Sequence, residues 1–173
     1  MIIKAALQQL KQSEKIAIIA HVQPDGDAVG SSLALANILE TAGKNVTLYC
    51  QDKVPALLEF LHGRKKFQNS VESGAQFDLS IAVDCSDEER MGTCSAVFRA
   101  GKNTMNIDHH ISNTFYADVN LVDITAAATG EIVYRIGRKL TDNIDKLTAE
   151  ALYTAISTDT GSFCFRNTTA QSY

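Results

Sequence analysis

A chain of 173 residues, 45% hydrophobic and 21% charged, has the composition of an ordinary globular domain, long enough to bury ~70% of its unfolded surface. Its formal net charge of −4 argues against a general nucleic-acid-coating surface, which needs a basic face, but not against a nucleotide bound through metal ions. No apolar run approaches the ~20 residues of a membrane span, and the amino terminus has neither the n-region nor the cleavage site of a signal peptide. The four cysteines, Cys50, Cys85, Cys94 and Cys164, form no Cys-x-x-Cys pair. They are expected to be buried free thiols in a cytoplasmic protein.

Along the chain, Ile3, Leu7 and Leu10 recur at helical spacing and predict an amphipathic first helix. The apolar run 16–20 reads as a buried parallel strand, and residues 28–41 as its crossover helix. Between them lies the loop 21–27, His-Val-Gln-Pro-Asp-Gly-Asp, at the carboxyl end of a strand, where open α/β sheets place their ligands. Pro24 is expected to hold Gln23 extended, and Gly26 to permit a turn. Residues 45–51 read as a second strand, with Gly43 stopping the helix before it. Pro55 opens a short helical piece through Leu61, and the basic cluster 62–66 reads as a solvated turn in preference to an anion-contacting loop.

Buried strands follow at 78–87, carrying Asp84, and at 103–110, ending in Asp108, His109 and His110. Residues 116–123 alternate like an edge strand. A helix over 126–140 turns Ile132, Val133, Ile136 and Leu140 inward, and a second, capped by Thr148, turns Leu152 and Ile156 inward and runs to Asp159. Residues 161–165 read as a last strand, with Asn167 or Thr168 poised to cap a further helix. Strand–helix alternation without repeat or linker predicts an α/β fold, a doubly wound and mostly parallel sheet, over residues 1–173.

One composition recurs at the strand ends. His21, Asp25 and Asp27 follow the first strand, Asp84 closes a central one, and His109 and His110 follow Asp108 on a third. Asp159 stands at the junction before the last. Any one of these aspartates would ordinarily be a turn or cap residue, but an apolar strand ending in Asp-His-His has no structural need for two imidazoles. Asp25, Asp27, Asp84 and Asp159 would bring four negative charges into one cleft, which two divalent cations would neutralise. Mixed carboxylate and imidazole donors suit Mn²⁺, with Mg²⁺ or Co²⁺ as substitutes. A metal pair ~3.5–4 Å apart is the usual device for attack on phosphorus, since it generates hydroxide near neutral pH.

The stretches HVQPDGDAVGSSLAL, IAVDCSD, NIDHHISN and STDTGSFCF resemble, in order, the four motifs of the DHH phosphoesterase superfamily, most of all its nano-RNase and pAp-phosphatase branch. The resemblance covers residues 21–165 and implies hydrolysis of short single-stranded RNA and of 3′-phosphoadenosine 5′-phosphate. It implies His21, Asp25 and Asp84 on one metal, and Asp27, Asp84, His109 and Asp159 on the other. His110 would contact the scissile phosphate, and Asp108 would accept from the imidazoles behind it. Ser112 and Asn113 are further candidates for phosphate contact, with loop capping as their competing role. Thr129 and Glu131 read as caps, and Cys85 as packing. Family members normally carry a second, substrate-gripping domain with a Gly-Gly-His segment, whereas no Gly-Gly pair occurs here. The chain therefore reads as an amino-terminal catalytic fragment, and a homodimer is compatible with the pattern. The rivals on this scaffold are a cyclic-dinucleotide phosphodiesterase and an inorganic pyrophosphatase. A rival of another class is a metal-binding module without turnover.

Overall fold

The computed structural model describes residues 2–62, 65–70 and 75–173. Helix α1 (Ile2–Gln12) precedes β1 (Lys15–Ala20), α2 (Gly26–Thr41) and β2 (Asn45–Tyr49). A 3₁₀ segment, Ala56–His62, leads to β3 (Phe77–Val83), and a second one, Glu88–Cys94, to the short α3 (Ser95–Arg99). Then come β4 (Gly101–Asp108), β5 (Val119–Val122), α4 (Thr129–Leu140) and α5 (Lys146–Asp159).

All strand pairs are parallel and the sheet order is β2-β1-β3-β4-β5. The expected doubly wound architecture is the one observed. Period-two alternation divides the core between the sheet's two faces. Ile16 and Ile18 join the cluster built with α1, α2, α4 and α5, while Ala17 and Ile19 join the thinner one built with Met91, Cys94, Val97 and Phe98. The chain winds from β1 out to β2 and returns to β3 on the other side of β1. The order therefore reverses between β1 and β3, and such a switch point opens a crevice at the carboxyl ends of the strands. His21 directly follows β1 and Asp84 directly follows β3, so both stand at its mouth.

Five local expectations are overturned. Residues 161–165 form tight turns, not a strand: Gly161, Ser162 and Phe163 all have positive φ, which no strand accommodates. Asn167 caps no helix, and its amide instead donates to the carbonyls of Ala127 (3.0 Å) and Asp159 (3.1 Å). The cap of α5 is the Asp145 carboxylate, which accepts from the Thr148 backbone N–H at 2.8 Å. Gln23 has φ +52 despite the following proline; its N–H reaches Asp52 at 2.8 Å and the Val22 N–H reaches the Arg90 carbonyl at 2.7 Å, fixing the loop from outside. Of the basic cluster, Gly63 and Arg64 lie outside the described residues, and Lys65 pairs with Glu40. Cys50, Cys85 and Cys94 are buried free thiols as expected, but Cys164 is exposed.

The tightest helix contact is between α2 and α5. A Cβ on Gly30 would lie 2.4 Å from the Ala151 carbonyl oxygen and 3.0 Å from the Ala155 Cβ, so only glycine allows the approach. Gly30→Ala is expected to lower stability by about 1–3 kcal/mol through overpacking, although alanine is the better helix former. Urea unfolding measures this, and a wild-type midpoint would contradict the packing described.

Candidate metal centre

The site is assembled by the carboxyl ends of β1, β3 and β4 and the last turn of α5. Asp25 caps α2: its Oδ1 accepts from the N–H groups of Asp27 and Ala28, both at 3.0 Å. Its other oxygen is left facing the His21 Nε2, 3.8 Å away. Gly26 is required for a different reason from the turn expected of it, because a Cβ there would meet the Thr158 side chain of α5 at 2.4–2.8 Å. That approach brings the end of α5, and with it Asp159, beside the loop.

Asp84 lies at the centre. It is buried, leaves β3 with φ +60, and points its two oxygens in different directions. Oδ2 is 3.6 Å from the His21 Nε2, whereas Oδ1 is 3.8 Å from the His109 Nε2 and 3.7 Å from the His110 Nδ1. The His109 Nε2 also lies 3.9 Å from the Asp27 Oδ2 and 3.4 Å from the Asp159 Oδ2. Three groups result whose ligand atoms lie within 4.8 Å of one another: His21, Asp25 and Asp84; Asp27, His109 and Asp159; and Asp84, His109 and His110.

The imidazoles are held with their ligand nitrogens free. The His21 Nδ1 contacts the Val22 carbonyl at 2.7 Å and the His109 Nδ1 the Ala126 carbonyl at 3.2 Å. A carbonyl only accepts, so a proton sits on Nδ1 and Nε2 is the nitrogen turned toward the carboxylates, available to a metal once its own proton is displaced. The His110 Nδ1 pairs with the Asp108 Oδ1 at 2.7 Å, so Asp108 serves this ring and not both.

Support comes from residues far away in sequence. The Thr129 hydroxyl donates to the Asp84 Oδ1 at 2.8 Å, and the backbone N–H groups of Thr129 and Gly130 donate to Asp27 at 2.6 and 3.0 Å. Neither Thr129 nor Glu131 caps α4 with its own side chain. The cap position is Ala128, and the two free N–H groups are taken by Asp27 across the domain. Glu131 accepts from the Ser172 hydroxyl at 2.7 Å. Asn113 is buried; both amide hydrogens are used, on Asn106 (2.7 Å) and Asp108 (2.6 Å), so it braces Asp108 and is not available to a phosphate. Ser112 is exposed on the loop after His110. Cys85 is packing, with its thiol turned to the Val83 carbonyl.

The electrostatics match the donors. Burial and the Asp84 charge push the Asp27 carboxyl well above its usual range, and burial, outweighing the attraction of His109, pushes Asp159 up as well. Asp159 also ends α5, where the helix dipole disfavours an anion. Burial opposes a charge on His21, but hydrogen bonds to Asp25 and Asp84 outweigh it and raise the ring to about 10. Asp25, against the cost of its burial, is lowered to about 2 by His21 and the α2 N–H groups. The site thus retains protons wherever a cation is missing. Hard carboxylate and borderline imidazole donors, with no thiolate among them, fit a hard or borderline divalent metal.

A doubly wound α/β domain with clustered carboxylates and imidazoles at its switch point is the class that fold and site define. Residues 15–156 match the DHH family, N-terminal domain, and the chain belongs to that family. It is 31% identical over 159 residues to the bifunctional oligoribonuclease and PAP phosphatase NrnA of Bacillus subtilis, covering 90% of this chain and 49% of that protein. It is 34% identical over 157 residues to the protein of the same name from Thermus thermophilus, covering 90% and 46%. An exopolyphosphatase-related protein from Bacteroides fragilis superposes with a TM-score of 0.89 at 26% identity, over 98% of this chain and 53% of that one. The chain spans about half the length of the relatives it matches.

The pH response follows from the shifts. His21 is raised, so its pairing contributes stability that is complete below the ordinary 6.5 and lost as pH climbs through about 10. Asp27 and Asp159, also raised, act in the same direction, and Asp25, lowered to about 2, is already fully ionised above pH ~5. The chelator-treated protein should therefore lose thermal stability between pH ~6 and ~9, and the increment from saturating Mn²⁺ should grow over the same range as metal displaces protons. Thermal midpoints at fixed metal concentration measure this; an increment independent of pH would contradict it.

Proposed function

We propose that this chain is the catalytic half of a manganese-dependent phosphoesterase that cleaves short oligoribonucleotides and 3′-phosphoadenosine 5′-phosphate to nucleoside monophosphates in the cytoplasm. The observation that carries the reading is the placement of Asp84, with one oxygen toward His21 and the other toward His109. His21, Asp25 and Asp84 would hold one ion; Asp27, Asp84, His109 and Asp159 would hold the second. Such ions would supply Lewis acidity and an activated water to a phosphoryl group.

The chain's own residues account for the remainder. The Asp108 hydrogen bond raises His110 above its usual range, with the charges of Asp84 and Asp159 acting in the same sense. A second proton at the His110 Nε2 is favoured by these neighbours and would be placed for donation to a phosphate oxygen as negative charge builds there. Asp108 is held low, despite burial, by His110 and Asn113, so it stays ionised and keeps that ring oriented. The names of the relatives support the substrate class. Their length supports the view that a second domain supplies much of the substrate grip in the whole enzyme, so that turnover by this half alone is weak.

The test is incubation with Mn²⁺ and, separately, 3′-phosphoadenosine 5′-phosphate, di- and trinucleotides, cyclic di-AMP and pyrophosphate. AMP and phosphate should appear from the first, and nucleoside monophosphates from the di- and trinucleotides. Asp84→Ala should reduce the rate by more than about a hundredfold, since loss of a partner beyond the ligands already costs ~10–100-fold. Equal rates in wild type and Asp84→Ala, or bound metal with no turnover of any substrate, would overturn the reading.

A further inference from the structure

Beside the metal centre, past the carboxyl end of β2, lies a cavity of about 830 Å³ that none of the foregoing chemistry uses. Its size falls within the ~300–1,000 Å³ typical of small-molecule sites. Gln51, Lys53, Lys66, Phe67, Gln68 and Asn69 line it. Cys50 follows β2 as His21 follows the neighbouring β1, and the Cys50 thiol donates to the His21 carbonyl at 3.3 Å. Asp52, on the same wall, accepts the Gln23 N–H at 2.8 Å. The cavity and the loop bearing His21 and Asp25 therefore share one frame.

That frame is built of backbone. The Cys50 N–H donates to the Gln68 carbonyl at 2.9 Å, and the Gln68 N–H to the Leu48 carbonyl at 2.8 Å, so Gln68 pairs with Tyr49 as a sheet residue would. The chemistry of the lining is that of a nucleotide. Lys53 and Lys66 have no ion-pair partner among the described residues, unlike their neighbour Lys65, which pairs with Glu40. Gln51 accepts the Thr93 N–H through Oε1 at 2.8 Å, which leaves its NH₂ group as a donor. With Gln68 and Asn69 it offers the mixed donors and acceptors that read a base edge, while Phe67 adds an apolar wall. Asp52 and Glu59 also stand on the wall; the Asp52 Oδ2 is turned to the Gln23 N–H and Glu59 is exposed on the 3₁₀ turn, so neither is paired with Lys53 or Lys66 among the described residues.

We propose that this cavity is a nucleotide subsite that holds the phosphate one nucleoside away from the scissile one, on Lys53 and Lys66, with its base against Phe67 and the amides. The inference rests on the phosphoesterase reading for its substrate. Both substrate types named there carry such a second phosphate: the next phosphodiester of an oligoribonucleotide, and the 5′-phosphate of 3′-phosphoadenosine 5′-phosphate. A single subsite would thus explain why two chemically different substrates suit one centre.

Two measurements test it. The Lys53→Glu/Lys66→Glu protein changes two exposed residues, so its fold should persist. The ratio of kcat/KM for 3′-phosphoadenosine 5′-phosphate to that for adenosine 3′-phosphate, which lacks only the second phosphate, should fall by about tenfold through KM, as expected for lost charge-assisted contacts. An unchanged ratio would overturn the proposal. Independently of turnover, AMP titrated into ¹⁵N-labelled wild-type protein should shift the amides of residues 51–53 and 66–69, and those shifts should vanish in the double variant. Absence of shifts there in the wild type would overturn the subsite. Shifts there without turnover of any substrate would instead sink the phosphoesterase reading and leave the subsite standing.

Discussion

Repulsion among four aspartates at one end of the sheet is the constraint on which the rest of the structure depends. Asp27 and Asp84 are buried, Asp25 and Asp159 stand beside them, and no lysine or arginine pairs with any of the four among the described residues. Buried like charges are tolerated only with compensation from protons, hydrogen-bond donors or a cation. The structure provides the first two in full. His21 holds a proton against its burial, and Asp27 alone accepts from two α4 N–H groups and the Ser31 hydroxyl, the last at 2.7 Å. The third is what the geometry of the imidazoles invites.

Meeting that constraint shapes the backbone. Asp84 occupies the left-handed region, at a cost on the order of 1–2 kcal/mol, and in doing so aims one carboxylate at two clusters. Gln23 is bent likewise, and its strain is offset by hydrogen bonds from its loop to Asp52 and Arg90. Close packing of α2 on α5 at Gly26 and Gly30 brings Asp159 to the sheet edge, although Asp159 belongs to a helix. The centre is thus a property of the whole fold: β1, β3, β4, α4 and α5 each supply a contact that the others cannot.

Much of this was legible from residues alone. The apolar runs before His21 and Asp84 identify two parallel strands, because a strand buried on both faces is near-continuously apolar, whereas the strand before Asp108 is interrupted by Thr104 and Asn106. Their polar ends follow from the rule that such sheets bind at their carboxyl edge. What could not be read was whatever depends on contact between distant segments. Thr129 reads as a cap, and nothing near it reveals that its hydroxyl meets Asp84, 45 residues earlier in the chain. Asn113 reads equally as a phosphate contact or a loop cap, because nothing local shows that Asn106 and Asp108 consume its amide. Residues 161–165 have strand propensity, but Asn167 ties the chain back to Asp159 and Ala127 and turns it instead. The cavity past β2 has no motif at all, since its lining comes from two separate stretches joined by one bridge, with Glu59 between them.

On the proposed reading Asp84 would bridge two cations. Anomalous diffraction at the manganese edge, from crystals of this protein soaked in Mn²⁺, tests it most directly. Two peaks ~3.5–4 Å apart, one beside His21 and Asp25 and the other beside Asp27, His109 and Asp159, with an Asp84 oxygen on each, are the expected result. A single peak, or two peaks that do not share Asp84, would contradict the account.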